Sequence, residues 1–201
     1  FVNSYLAFQA GNNTGAGHAF FSNHLDAIGG AIGAFRGKNT EWRDNYFDGC
    51  GDGTSNGGHK TVATEGMWFH HNRFRGCARG GLWFDTGNSR ALVEWNIIQD
   101  TGGSSPMGGV CFERNCWEDD TVTGADQGSK ILISNANHNT VRHNLFQNNL
   151  DAALAMLEAS GNLVHDNSFY QDVADQPNTG SIRLRDDVPS TVVMGGFTMS
   201  L

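Results

Sequence analysis

Apolar residues recur around a series of asparagines. Phe20 and Leu25 flank Asn23, three residues before it and two after. The same frame holds for Trp42 and Phe47 about Asn45, Phe69 and Phe74 about Asn72, and Val93 and Ile98 about Asn96. It returns with Val141 and Phe146 about Asn144, and with Val164 and Phe169 about Asn167. The step is about 24 residues, apart from one gap twice as long between Asn96 and Asn144. Asp120, between Trp117 and Val122, fills that gap as a further rung, and a weaker frame at Thr191 extends the series. Within each frame the apolar positions alternate with polar ones, the period of strands and not of helices. The pattern predicts a solenoid of seven to eight β-coils, each burying a few side chains against the next about 4.8 Å away. Leu25, Phe47, Phe74, Ile98, Val122, Phe146 and Phe169 form the expected inner stack, and the asparagines an amide ladder at one corner.

A second strand is expected in each coil. Its last inward residues read Phe35, Thr64, Phe84, Phe112, Ile133, Leu157 and Leu184. Strand faces alternate, so the next residue points outward. That outward column reads Arg36, Glu65, Asp85, Glu113, Ser134, Glu158 and Arg185, with three carboxylates on consecutive coils.

Composition narrows the picture. The 201 residues hold 27 Gly and only 3 Pro, which suits many tight turns. The net charge of −8 excludes a nucleic-acid partner, which needs a basic face. No apolar run is long enough for a membrane span. The whole of residues 1–201 reads as one domain. Neither end shows a polar cap, so the chain is expected to be an excerpt of a longer one or to have a partner at its ends; oligomerisation stays open. Cys50 and Cys77 each lie five residues after a ladder asparagine and should stack on adjacent coils; free thiols are favoured over a disulfide. Cys111 and Cys116 bracket the segment beside Glu113 and could clip it. No Cys-x-x-Cys pair points to zinc.

The Asn-centred rungs resemble the right-handed parallel β-helix superfamily of pectate lyases and related carbohydrate enzymes, over nearly the whole chain. The right-handed rule for parallel crossovers agrees. Gly81-Leu82-Trp83-Phe84-Asp85, followed one coil later by Gly108-Gly109-Val110-Cys111-Phe112-Glu113, resembles the motif pair of β-helix β-xylosidases. That resemblance implies a glycoside hydrolase, with Asp85 as nucleophile and Glu113 as acid/base. A pair about 5–5.5 Å apart fits retaining hydrolysis, whereas Glu65 with Glu113, two coils apart, would fit inversion.

The substrate would be a polysaccharide or oligosaccharide, and the protein secreted or at a cell surface. Trp83 is expected outward as a sugar platform. Glu65, His70, His71 and Glu158 complete the expected substrate-binding set, and Arg36, Lys60 and Arg79 could receive a uronate carboxylate. No cofactor is required. Ca²⁺ on Glu65, Asp85 and Glu113 would instead give a polysaccharide lyase. A third reading needs no chemistry at all, only an adhesin, a tailspike or another surface scaffold.

Overall fold

The structure, a computed structural model, describes residues 9–10, 16–26, 32–35, 37–50, 59–77, 80–85, 87–101, 110–113, 138–149, 152–157, 161–170, 180–185, 191–194 and 197–200. It is an all-β parallel solenoid built of three sheets. The seven-stranded sheet holds β1 (Gln9–Ala10), β4 (Ile32–Phe35), β7 (His59–Val62), β10 (Leu82–Phe84), β13 (Val110–Glu113), β16 (Ala152–Leu157) and β19 (Gly180–Arg185). The eight-stranded sheet holds β2 (Ala19–Phe21), β5 (Glu41–Arg43), β8 (Trp68–His70), β11 (Leu92–Glu94), β14 (Thr140–Arg142), β17 (Asn162–His165), β20 (Thr191–Met194) and β21 (Phe197–Ser200). The six-stranded sheet holds β3 (His24–Asp26), β6 (Tyr46–Asp48), β9 (Arg73–Arg75), β12 (Ile97–Gln99), β15 (Leu145–Gln147) and β18 (Ser168–Tyr170).

The ladder forms as the sequence predicts. Each asparagine amide donates to the side-chain oxygen of the next, from Asn23 to Asn45 (2.9 Å), Asn72 (3.0 Å), Asn96 (3.0 Å), Asn144 (3.0 Å) and Asn167 (2.9 Å). The residue before each asparagine turns the corner with positive φ: Ser22, Asp44, His71, Trp95, His143 and Asp166 lie between 53° and 56°. That conformation strains a residue with a Cβ, by roughly 1–2 kcal/mol. The ladder repays it, because the side-chain oxygens of Asn45, Asn72, Asn96, Asn144 and Asn167 also accept the backbone N–H of the preceding ladder asparagine, as Asn72 does from Asn45 (3.0 Å).

The inner stack is dry. Leu25, Phe47, Phe74, Ile98 and Phe146 are buried, and Phe47 lies flat on Phe74 at 4.5 Å. A second column, Trp42, Phe69, Val93, Val141 and Val164, fills the other side of the interior.

Two expectations about the stack change. Asn96 donates directly to Asn144, 48 residues on, and Ile98 pairs with Phe146. No rung therefore stands between them. The double gap is one coil carrying a long insertion, and Asp120, Val122 and Ile131–Ser134 lie outside the described residues. The ladder correspondingly has six asparagine rungs among the described residues, beside a sheet of seven parallel strands. The C-terminal end also differs, because β21 folds back antiparallel on β20 and ends the parallel run. A hairpin stands where no cap was expected.

Candidate functional site

Backbone register decides which residues share a face. Lys60 pairs with Trp83 and Trp83 with Cys111; Thr61 pairs with Phe84 and Phe84 with Phe112. Asp85 and Glu113 follow Phe84 and Phe112, so they occupy matching positions on adjacent coils, as the sequence predicts. Glu113 in turn pairs with Leu157. On the other side the matching position is Val62. The column thus reads Phe35, Val62, Asp85, Glu113, Leu157, Arg185. Two carboxylic residues stand together, with an apolar residue on each side.

Around Asp85 the contacts are specific. The Lys60 ammonium lies 2.9 Å from Asp85 Oδ2, and both side chains are 17% exposed. The same ammonium sits 3.6 Å from the centre of the Trp83 ring. Trp83 alternates with the core residues Leu82 and Phe84, so it lies on the outer side of β10 as predicted. Its ring is nevertheless only 3% exposed. It is not an open sugar platform, and a ligand reaching its face has to displace Lys60. Lys60, considered as a uronate partner, already holds a carboxylate, that of Asp85.

Glu65 leaves the column. It bridges Lys38 on one side and Ser89 on the other, three residues beyond Val62. Its carboxylate receives Lys38 (3.2 Å) and Arg90 (2.7 Å). The Lys38 hydrogen bond and charge, then Arg90, hold its pKa below the ordinary value. The phase error has a local cause. Ala63 turns with φ 52°, so Thr64 points inward again after Thr61, and Thr64 Oγ1 donates to Asn88 Oδ1 at 2.6 Å. Simple alternation does not survive such a corner. The three-carboxylate Ca²⁺ site and the Glu65–Glu113 inverting pair both fall with it. The register position opposite Glu113 is Leu157; Glu158, Arg36, Arg79 and Cys116 lie outside the described residues.

His70 and His71 sit on and just after β8, in the eight-stranded sheet, not in the sheet that carries Asp85. They belong to a polar network there. His70 Nε2 is 2.9 Å from Glu41 Oε1, and its Nδ1 is 2.9 Å from His71 Nδ1. An ionised Glu41 only accepts, so a neutral His70 donates from Nε2 and accepts from His71 at Nδ1. Beside them Glu94, 7% exposed, accepts from Trp68 Nε1 (3.0 Å) and Arg142 Nε (2.8 Å). Sequence reading missed this network. Its signal was the column two residues before each ladder asparagine, which reads Phe21, Arg43, His70, Glu94, Arg142, His165.

Further along the same corner, Trp95 stacks on His143 at 4.4 Å, and His165 Nδ1 meets Asp166 Oδ2 at 2.7 Å. That contact, led by the His165 hydrogen bond, lowers the Asp166 pKa.

A further histidine lies inside the coil. His59 is fully buried, edge-on to Trp42 (4.2 Å) and Phe69 (4.8 Å), and neither ring nitrogen has a side-chain partner among the described residues. Burial lowers its pKa to about 3.

Among the described residues no group of three or more His, Cys, Asp or Glu side chains is placed to hold an ion. Cys50 and Cys77 are free and fully buried in the core, and His70 has both ring nitrogens engaged.

Comparison with known proteins gives one match. The sequence model of a family described as "NosD: Periplasmic copper-binding protein (NosD)" matches residues 11–193. No curated protein and no solved structure matches the chain.

Proposed function

This chain belongs to the NosD family, and we propose that it is an exported β-helical protein acting on a glycan. The family's periplasmic description accords with the secreted or surface location expected from sequence. The family's description names copper; among the described residues no group of three or more His, Cys, Asp or Glu side chains is placed to hold an ion. No helix among the described residues is long and apolar enough to cross a membrane.

The observation that supports the reading is the pairing of Phe84 with Phe112, which sets Asp85 and Glu113 on neighbouring coils of one face. Neighbouring strands lie about 4.8 Å apart, close to the spacing of a retaining carboxylate pair. In the proposed mechanism Asp85 attacks the anomeric carbon and Glu113 protonates the leaving oxygen. Glu113 then takes a proton from the water that releases the sugar. Lys60 must give up its contact with Asp85 or Trp83 as the sugar enters. In the described register Val62 and Leu157 hold the positions on either side of the pair.

The test is a panel of plant and microbial oligosaccharides and aryl glycosides, scored for binding and for cleavage. Cleavage by the parent chain, lost about 10³-fold or more in both Asp85→Asn and Glu113→Gln with binding kept, is the expected result. Binding without cleavage removes the hydrolytic step. Absence of both overturns the proposal.

A further inference from the structure

At the corner after the six-stranded sheet, two thiols occupy matching places on adjacent coils. Asp48 pairs with Arg75, and the Gly49 N–H continues the register by donating to Arg75 O at 2.9 Å. Gly49 and Gly76 both turn with positive φ, 62° and 59°. Cys50 and Cys77 follow them, both with no exposed surface. Each thiol makes a long contact to a carbonyl two residues back, 4.0 Å for Cys50 and 3.8 Å for Cys77. Each is also within reach of the other, and the hydrogen bond with Cys77 is the first cause of the raised Cys50 pKa.

The same corner is tied on later coils. Thr101 and Asn149 stand in the positions that Cys50 and Cys77 hold earlier. Thr101 Oγ1 donates to Asn149 Oδ1 at 2.8 Å, and Thr101 N at 3.2 Å. Between the earlier coils the pair of thiols replaces that strong cross-coil bond. Paired residues on neighbouring parallel strands have Cα atoms about 4.8 Å apart, inside the roughly 4.4–6.8 Å that a disulfide spans.

We propose that Cys50 and Cys77 are an oxidation site, closing into a disulfide that staples two successive coils when the chain folds in an oxidising compartment. The oxidant is a protein or small-molecule disulfide, the class that such compartments supply. One cysteine thiolate attacks an oxidant sulfur and expels the first oxidant thiolate, leaving a mixed disulfide. The other cysteine, deprotonated, attacks the protein sulfur of that intermediate and expels the second. The two protons lost from the cysteines end on the two oxidant thiols. Two protein thiols are oxidised and one oxidant disulfide is reduced. Burial fixes the timing, because neither sulfur is reachable once the coils have stacked. Closure therefore precedes or accompanies stacking, and reduction afterwards requires unfolding.

The site goes beyond the glycan reading and is tested without any glycan. The chain is exported to a bacterial periplasm and, in a second preparation, refolded from the reduced state with glutathione disulfide. Each sample is alkylated in denaturant, reduced, alkylated with a second, mass-distinct reagent, and peptide-mapped. The expected result is the second label on both Cys50 and Cys77, with their two peptides joined before reduction. Folded protein should keep the bond in a reductant that opens it in denaturant. First label on both residues, or either one joined to Cys111 or Cys116, overturns the proposal.

Discussion

Acid should weaken this fold through a single interior residue. His59 is fully buried, and neither ring nitrogen has a side-chain partner among the described residues. Its pKa falls from 6.5 to about 3 on folding, through desolvation. As pH drops through 6.5 the unfolded chain takes up a proton that the folded chain refuses until about pH 3. Stability contributed by neutral His59 is thus whole above the unfolded pKa and is lost as pH falls through that window.

Each pH unit in the window costs about 1.4 kcal/mol, so the fold loses about 2 kcal/mol between pH 7 and pH 5. The full loss, reached near pH 3, is about 5 kcal/mol. Glu65 and Asp166 do not confuse the interval. Their folded pKa values are lowered from 4.5 and 3.8, so their contributions are lost only at more acid pH. His59→Leu keeps an apolar filler in place and removes the titrating ring. Urea unfolding followed by tryptophan fluorescence at pH 7 and pH 5 measures the difference. The parent should lose about 2 kcal/mol, and the variant should lose little over the same interval. An equal loss in both refutes the assignment of the acid sensitivity to His59.

Other substitutions probe the ladder, one corner and the candidate site. Asn72→Ala removes the acceptor for Asn45 and the donor to Trp42 O (2.7 Å), all in a buried setting. It should cost about 3 kcal/mol, against about 1 kcal/mol for Asn23→Ala at the half-buried end of the ladder, by chemical denaturation. Gly66 has φ +67°, and a Cβ there would collide with Asn39 Oδ1, whereas Gly17, at φ +73°, has open space. Gly66→Ala should therefore lower the melting temperature more than Gly17→Ala, and equal effects would discount the Asn39 contact. Lys60→Met removes the cation from both Trp83 and Asp85. It should cost about 1 kcal/mol in stability and make Trp83 fluorescence more quenchable by iodide; unchanged quenching would show that Lys60 does not cover the ring.

The parts of the fold legible in sequence are those set by side-chain identity. Asparagine at the corner has few substitutes and the position two residues after it is always a large apolar side chain, so the ladder and the stack from Leu25 to Phe169 could be placed around it. What escaped depends on corner length. The turn from Thr61 to Thr64 is one residue shorter than that from Phe84 to Asn88, and this moved Glu65 out of the column it was expected to share with Asp85. The insertion after Glu113 misled in another way. Trp117, Asp120 and Val122 imitate a rung, but a solenoid tolerates a long excursion at a corner because the strands on either side still pair, Leu92 with Thr140 and Ile97 with Leu145. Asp85 and Glu113 hold matching register positions on adjacent coils because Leu82–Phe84 and Val110–Phe112 pair residue for residue. The cover over Trp83 was not legible, since it depends on Lys60 from the coil before.

The central claim is that Asp85 and Glu113 address one linkage of a bound glycan. A crystal structure of the chain with a bound oligosaccharide tests it most directly. The account predicts a sugar lying over this pair, with Lys60 shifted from Asp85 and the two carboxyl groups about 5–5.5 Å apart across one glycosidic oxygen. A sugar bound on another sheet, or carboxyl groups facing away from each other with the Lys60–Asp85 contact intact, would contradict it.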